Sequence, residues 1–304
     1  MATSPREFFS DLLGSLANLR VDRASGDPAP HKPLLLLTIL DMAEEQYIPD
    51  PLPLTPELAF RFCTYWTVVA HRRRQRPDIR LPFHHLAGDG IWHPLLADGT
   101  PSPDSRLSVF SAFSPAFRAL MADPVARDRA RRLLIAKYFT SGERAALYAI
   151  IGRDVPDDEQ IEHDAQVDDP LALAPGREAR FRLQVVAKYD YTCALTGYRL
   201  LTIDAGSIVD AAHIHQFADS RNNDPRNGIA LCKNAHWLFD EGLWTIDEDL
   251  RVLVARGHFA EMSPDGRELA AYEGCHLRLP KSRDQWPGRE YVQWHRQHCF
   301  LGRA

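Results

Sequence analysis

Apolar residues in the first half of the chain recur every three or four positions, which is the spacing of one face of an α-helix. The first such stripe consists of Phe8, Leu12, Leu16 and Leu19. Helices are predicted over residues 5–19, 34–46, 115–122, 126–138 and 141–151, with another beginning at Thr55. Residues 79–94 combine short apolar runs with glycines, and this pattern predicts a hairpin.

The second half of the chain mixes two periods. Residues 177–189 and 233–240 have helical spacing, whereas residues 207–214 and 250–254 are short runs typical of strands. Residues 289–298 predict a hairpin or a helix. We therefore expect an α+β protein, with a mainly helical N-terminal domain that carries a small β element and a mixed C-terminal domain.

An acidic stretch separates these two regions. Residues 154–169 contain eight Asp or Glu and no Lys or Arg, and Pro170 and the run Ala174-Pro175-Gly176 follow them. Charge of one sign together with Pro and Gly is typical of an exposed linker. The predicted organisation is a domain over residues 1–153, a linker over 154–176 and a second domain over 177–304.

Charge becomes informative once this stretch is set aside, because the formal net charge then changes from −5 to +3. Local basic patches contact DNA phosphates whatever the net charge of the chain. Three clusters of basic residues remain: Arg72–Arg74 with Arg76 and Arg80; Arg127, Arg129, Arg131, Arg132 and Lys137; and Arg177, Arg180 and Arg182. Arg73 and Arg80 are the candidate DNA contacts, and the alternative is that such runs are solvated helix faces.

Composition excludes several classes of protein. A hydrophobic content of 45% and a charged content of 25% are ordinary for globular proteins, and no apolar run is long enough to span a membrane. The first residues lack the basic and apolar regions of a secretion signal. The five cysteines are scattered and odd in number, which favours a reducing compartment. We therefore expect a cytoplasmic protein with no membrane contact.

Three residues in the second domain stand in an informative order. His213 ends an apolar run as A-H-I, Asn227 opens N-G-I-A-L-C 14 positions later, and His236 opens H-W-L-F-D-E-G after a further 9. This ordered set resembles the His-Asn-His (HNH) nuclease family, whose ββα-metal core hydrolyses nucleic-acid phosphodiesters. The resemblance implies a metal-dependent DNA endonuclease in which His213, Asn227 and His236 are the catalytic residues.

The resemblance also implies a role for each residue. His213 would be the general base, Asn227 would hold its loop or ring, and His236 would be a metal ligand. Asp240 lies one helical turn beyond His236, and Asp210 lies near the end of the strand, so these two carboxylates compete as the further ligand. The family often has Asp or His directly before the base, where this chain has Ala212. One imidazole with oxygen ligands suits Mg²⁺ or Mn²⁺.

Two phrases in the first domain carry a second resemblance: A-P-H-K-P at residues 29–33 and L-P-F-H-H-L-A-G-D-G-I-W at residues 81–92. They resemble the sulfur-binding domain that accompanies HNH nucleases in McrA-type modification-dependent restriction enzymes. That domain recognises phosphorothioate DNA, in which sulfur replaces a non-bridging phosphate oxygen. The matching positions are Leu81, Pro82 and His85 for an apolar cup, with the basic pair His31 and Lys32 beside it.

The chemistry of a phosphorothioate accounts for such a site. A phosphorothioate is an anion, so basic groups must meet its backbone, whereas its sulfur is poorly hydrated and packs on apolar atoms. The family often has an aromatic residue where this chain has Leu81. The alternative mark is a methylated or otherwise modified base, which needs an aromatic pocket for a flipped base. Tyr65, Trp66 and Trp92 are the candidates for such a pocket.

The favoured function is therefore a restriction endonuclease that recognises modified double-stranded DNA and cuts nearby. A double-strand break needs two active sites, so a homodimer is expected. One alternative is a DNase gated by a nucleotide signal, although the chain has no Gly-rich phosphate loop. Another is a DNA-binding module without activity, against which the retained histidines argue.

Overall fold

A computed structural model of the chain describes residues 12–23, 28–45, 47–72, 77–155, 170–204, 206–263 and 266–302. The chain divides into two compact units, Met1–Ala179 with Thr202–Gly206 and Arg180–Leu201 with Ser207–Ala304. Helices and small antiparallel sheets occur together, which confirms the predicted α+β class. Within the described residues, no helix has both the length and the apolar composition needed to cross a bilayer.

The first unit is built around one buried helix. Its elements are α1 (His31–Glu45), β1 (Leu52–Pro53), α2 (Pro56–Thr67), α3 (Arg80–His85), β2 (Trp92–Leu95), β3 (Phe110–Phe113), α4 (Pro115–Ala122), α5 (Pro124–Tyr138) and α6 (Ser141–Ile151). Residues 33–42 of α1 are buried on all sides, which is the pattern of a central helix. The three strands form an antiparallel sheet in the order β1-β3-β2.

Most helices of this unit lie where they are predicted. Thr55 caps α2, because its hydroxyl accepts a hydrogen bond from the backbone N–H of Leu58 at 3.2 Å. Residues 12–17 are helical, and the part of the first predicted helix before residue 12 lies outside the described residues.

The predicted hairpin over residues 79–94 is wrong. Residues 80–85 form α3, a 3₁₀ turn covers Leu86–Asp89, and only β2 is a strand, paired with β3. Ile79, Phe83 and Leu86 are buried at the i, i+4, i+7 spacing of a helix. Pro82 is the third residue of α3, where its missing N–H has no partner to lose.

The second unit contains α7 (Pro170–Lys188, which starts in the first unit), β4 (Leu201–Thr202), β5 (Gly206–Ser207), β6 (Val209–His213), α8 (Phe217–Ser220), β7 (Gly228–Cys232), α9 (Lys233–Asp240), β8 (Trp244–Ile246), β9 (Val252–Val254) and α10 (Arg289–His298). Helix α7 begins within the predicted linker and includes Pro175. Residues 156–169, which contain most of that linker, lie outside the described residues.

Strands β6 and β7 and helix α9 form the centre of the second unit. The strands are antiparallel, with His213 opposite Gly228 and Val209 opposite Cys232. Helix α9 follows β7 directly and buries Ala235 and Phe239 in the same core as both strands. This hairpin and helix hold His213 at the end of β6 and His236 on α9.

Candidate active site

The His213 imidazole is held by neighbours from two elements. It stacks on Phe181 of α7, with ring centroids 3.9 Å apart and planes 8° from parallel. Its Nε2 lies 2.9 Å from Oδ1 of Asn223, and the Phe217 ring of α8 lies 5.4 Å away. An amide oxygen accepts a hydrogen bond and cannot donate one, so Asn223 stabilises the tautomer with hydrogen on Nε2. The acceptor lone pair of the ring is then on Nδ1.

Asn227 is fully buried just before β7. Its Oδ1 accepts a hydrogen bond from the backbone N–H of His215 at 2.8 Å, and its Nδ2 donates to the carbonyls of His215 at 3.0 Å and Asn222 at 3.1 Å. Asn227 therefore closes the loop between β6 and β7. Its partners His215 and Asn222 lie two residues after His213 and one residue before Asn223.

His236 and Asp240 lie together on α9. Nε2 of His236 is 3.4 Å from Oδ2 of Asp240, and both side chains are partly exposed. Burial raises the pKa of the Asp240 carboxyl from its ordinary value, while His236 and then His213 act in the opposite direction. Asp240 is thus within electrostatic range of both imidazoles, which brings the strand histidine and the helix pair into one site.

Asp210 has a different environment. Its Oδ1 accepts a hydrogen bond from Nε of Arg182 on α7 at 2.8 Å. This ion pair connects β6 to α7, whereas the carboxylate beside His236 is that of Asp240.

The donor set on α9 fits a hard divalent cation. Among the described residues, no group of three or more His, Cys, Asp or Glu is arranged to hold a metal ion. Mg²⁺ retains several waters and binds through one or two carboxylates together with substrate phosphates, so the Asp240 carboxylate with the His236 imidazole beside it is compatible with such a site. A closed structural zinc site needs four protein ligands.

Sequence reasoning missed three residues of this site: Phe181, Arg182 and Asn223. Asn223 lies in the polar turn N-N-D-P-R-N that ends at Asn227, and such a turn before a buried strand was the available signal. Phe181 and Arg182 lie on α7, about thirty residues before the strand that they contact. Nothing in the sequence spacing indicates that contact.

The first unit contains a cavity of about 240 Å³ between segments that are distant in sequence. It is lined by Arg20, Val21, Asp22, Ala29, His31, Lys32, Leu81, Pro82 and His85. The five residues predicted for sulfur recognition by resemblance therefore share one pocket. Leu81 is 42% exposed and leaves an apolar surface at the pocket wall.

A buried ion pair forms part of this pocket. Nζ of Lys32 donates to Oδ2 of Asp89 at 2.6 Å, and the backbone N–H of Arg20 donates to Oδ1 at 2.8 Å. The side chain of Asp89 is only 2% exposed. His31 packs against Trp66, with ring centroids 4.5 Å apart. Asp89, which the resemblance did not single out, thus holds two walls of the pocket together.

The remaining candidate DNA contacts are placed differently. Arg80 pairs with Asp204, and Arg73 lies outside the described residues. Arg131 of the second basic cluster is buried and pairs with Glu44 at 3.0 Å, so it is part of the core. The aromatic residues considered for a flipped-base pocket, Tyr65, Trp66 and Trp92, are also buried in the core.

An antiparallel hairpin followed by a helix, with one imidazole on the strand and another on the helix, defines a ββα nuclease core. Residues 193–247 match the HNH_2 family, described as HNH endonuclease, and this span contains His213, Asn227, His236 and Asp240. These residues therefore form an HNH endonuclease domain, which confirms the resemblance for this part of the chain.

Comparison with whole proteins adds little to this match. A solved structure titled "Modification dependent TagI restriction endonuclease" aligns with a TM-score of 0.31 and 20% identity, over 43% of this chain and 43% of that chain. The chain thus spans less than half of that protein. No protein with a curated description matches the chain.

Proposed function

We propose that this protein is a divalent-metal-dependent HNH DNA endonuclease directed to phosphorothioate-modified DNA. The observation that carries the nuclease part is the convergence of His213, His236 and Asp240 within an HNH domain. The observation that supports the recognition part is the pocket shared by His31, Lys32, Leu81, Pro82 and His85. The chemistry of each part follows from its own residues.

In the nuclease domain, His213 is the general base. Asn223 keeps hydrogen on Nε2 of the ring, so Nδ1 takes the proton from the attacking water. The stack on Phe181 restricts rotation of the ring, and Asn227 fixes the loop that follows it. His236 and Asp240 would hold a Mg²⁺ or Mn²⁺ ion, which stabilises the charge that develops on the phosphate and the leaving oxygen.

In the recognition unit, the pocket combines apolar and basic groups. Leu81 and Pro82 offer carbon atoms on which the sulfur of a phosphorothioate can pack. A phosphate oxygen in the same position would lose its hydration and gain no hydrogen bond from these carbon atoms. Arg20, His31 and Lys32 line the same pocket and can donate hydrogen bonds to an anion, while Asp89 neutralises the charge of Lys32 and Asp22 is also part of the lining. The pocket thus suits an anion with one poorly hydrated atom.

A homodimer is part of this proposal. One HNH domain hydrolyses one strand, so a double-strand break requires two domains or two separate encounters. A dimer would convert supercoiled plasmid to linear DNA with little nicked intermediate. A monomer would accumulate the nicked form first.

The proposal is tested by digesting phosphorothioate, methylated and plain versions of one plasmid side by side, with Mg²⁺ or Mn²⁺ and with a chelator. We expect cleavage of the phosphorothioate plasmid alone, and no cleavage in chelator. Preference for the methylated plasmid would show that the protein recognises a modified base and not a phosphorothioate. Cleavage in chelator would contradict the ββα-metal mechanism.

His213→Ala is the control for catalysis. Loss of a general base usually costs about 10²–10⁴-fold in rate. We expect His213→Ala to lose cleavage to that extent and to bind the phosphorothioate duplex as tightly as the wild type does. Near wild-type cleavage by this variant would remove His213 from the mechanism.

A further inference from the structure

Helix α9 presents four neighbouring side chains on one side. Lys233 and Trp237 are four residues apart, as are His236 and Asp240. Lys233 is three residues before His236, and Trp237 is three residues before Asp240. Residues three and four apart on a helix are surface neighbours. Lys233 and Trp237 therefore lie directly beside the His236–Asp240 pair.

The exposure of Trp237 distinguishes it from the other tryptophans. All six tryptophans fall within the described residues, and Trp237 alone is exposed, at 60%. The core-facing side of α9 is occupied by Ala235 and Phe239, so Trp237 does not contribute to that packing. A large aromatic ring in water beside an active site is typical of a surface that binds a partner.

We propose that Lys233 and Trp237 form the substrate-contact surface next to the cleaved bond. Trp237 packs on the base or sugar of a nucleotide adjacent to the scissile phosphate, and Lys233 pairs with a neighbouring backbone phosphate. This inference rests on the proposed DNA endonuclease activity. It concerns how the nuclease domain positions a strand, separately from how the first unit recognises a mark.

Three features of this surface favour DNA as the occupant. Every base has an apolar face, so an aromatic ring contacts nucleotides without regard to sequence. Lys233 adds a positive charge at the same surface, which a phosphate backbone satisfies and an apolar protein segment does not. The surface also adjoins the residues that act on the phosphate, so a bound strand reaches Trp237 as it reaches His236.

The test measures kcat/KM of the full-length protein on a duplex that the wild type cuts, with Mg²⁺ present. Trp237→Ala is expected to lower kcat/KM by about 5- to 100-fold, the effect of removing one base–aromatic stack. Trp237→Phe is expected to restore most of the loss, because it keeps an aromatic face. Met262→Ala is the matched control, since Met262 is 87% exposed in the same unit.

Lys233→Met tests the phosphate contact through salt dependence. Removing one phosphate contact is expected to reduce the slope of log(kcat/KM) against log salt concentration by about one. Lys281→Met, at another exposed position of the same unit, is expected to leave the slope unchanged. Unchanged thermal midpoints would show that all variants are folded.

The outcomes separate this inference from the function on which it rests. A wild-type protein that cuts no DNA would overturn both. Wild-type cleavage with an unaffected Trp237→Ala, or with Trp237→Phe as impaired as Trp237→Ala, would overturn the contact by Trp237. An unchanged salt slope for Lys233→Met would overturn the phosphate contact.

Discussion

Asp210 and Asp240 differ in the partner that each carboxylate has. Asp210 is paired with Arg182 of α7, and Asp240 lies 3.4 Å from Nε2 of His236. A carboxylate that already neutralises a guanidinium would have to give up that pair to bind a cation. Asp240 has no such cost, because a cation between it and His236 replaces one favourable contact with two. We therefore propose Asp240, and not Asp210, as the second ligand.

Separate alanine variants test this assignment. Asp240→Ala is expected to lower metal affinity by more than the roughly 10- to 100-fold that loss of an outer-shell partner costs. Asp210→Ala removes a partly exposed ion pair, so it is expected to reduce stability by about 0–1 kcal/mol and to leave metal affinity unchanged. Calorimetric Mn²⁺ titration without DNA measures the metal affinity of both variants, and urea unfolding measures their stability. The opposite ranking of the two variants would make Asp210 the ligand.

The site residues that the sequence predicts are those whose roles depend on order along one short segment. His213, Asn227 and His236 are recognisable because a hairpin and helix of fixed length bring them together. Asn223 and Phe181 orient His213 through a turn and a distant helix, and their contacts depend on tertiary packing. Spacing alone contains no information about such packing.

At the scale of elements, the contact between α7 and the β6–β7 hairpin depends on a residue without a side chain. A Cβ at Gly228 would lie 2.8 Å from Cζ of Phe181 and closer still to the side chain of Val185. The backbone of Gly228 has an ordinary extended conformation, so space rather than conformation requires glycine here. The same close approach allows Phe181 to stack on His213.

Gly228→Ala is therefore expected to affect stability and catalysis together. Overpacking of a core typically costs about 1–3 kcal/mol. Displacement of Phe181 would release His213 from its stack, and misplacement of a catalytic group by about 1 Å can cost about 10²-fold in rate. Thermal unfolding and single-turnover cleavage measure the two effects. Gly142→Ala, where a Cβ meets nothing within 4 Å, is the control, and equal behaviour of the two variants would contradict the argument.

Helix α10 is attached to the nuclease core through a buried histidine. His295 stacks on Phe239 with ring centroids 3.8 Å apart, and its Nδ1 lies 2.8 Å from the hydroxyl of Thr245. Burial lowers the pKa of His295 from 6.5 to about 4. The folded protein therefore excludes a proton that the unfolded chain takes up between these two pH values.

This difference predicts a pH-dependent stability. The contribution of His295 is fully present above about pH 6.5 and is lost as the pH falls toward 4, because only the unfolded chain gains a proton in this window. The loss amounts to about 3 kcal/mol at most. His295→Gln cannot titrate, so its unfolding free energy should decline less over this range than that of the wild type. Parallel declines in urea unfolding would contradict this role of His295.

The prediction of helices and strands fails where turn-forming residues occur within a helical pattern of apolar residues. The sequence L-P-F-H-H-L-A-G-D-G contains proline and two glycines, which are typical of hairpins, yet its buried residues follow the period of a helix. Pro82 is compatible with both, because the first turn of a helix tolerates proline. The predicted linker reaches residue 176 for a related reason, since Pro175 suggests a break where α7 continues. Tertiary contacts decide both cases.

At the scale of the whole molecule, a chain with a net charge of −5 must bind DNA through local features. In the pocket lined by His31, Lys32, Leu81 and Pro82, Asp89 neutralises Lys32 and so weakens the general attraction for phosphate. Such an arrangement weakens the electrostatic attraction for plain and phosphorothioate DNA alike and leaves contacts made by carbon atoms unchanged. Leu81 and Pro82 would then determine the preference for sulfur, while Lys32 and Asp89 set the total affinity.

This division of roles predicts opposite effects in binding assays with full-length His213→Ala protein in chelator. Leu81→Ala and Pro82→Ala are expected to reduce the preference for phosphorothioate over plain duplex by about 5- to 10-fold, which corresponds to about 1 kcal/mol of apolar contact. Lys32→Ala and His31→Ala should weaken both duplexes, since both share the phosphate contacts. Asp89→Asn should strengthen both and leave the preference in place, because it releases Lys32 and keeps an acceptor for the Arg20 N–H.

Salt and a surface control complete the test of the recognition pocket. Added salt should weaken binding to both duplexes and leave the preference in place, because the preference would come from sulfur packing. Leu107→Ala, at a leucine that is 53% exposed in the same unit and outside the pocket lining, should have no effect. Equal affinity of the His213→Ala protein for the two duplexes would contradict the proposal that this pocket recognises sulfur. It would leave the nuclease assignment intact, since that depends on different residues in a different unit.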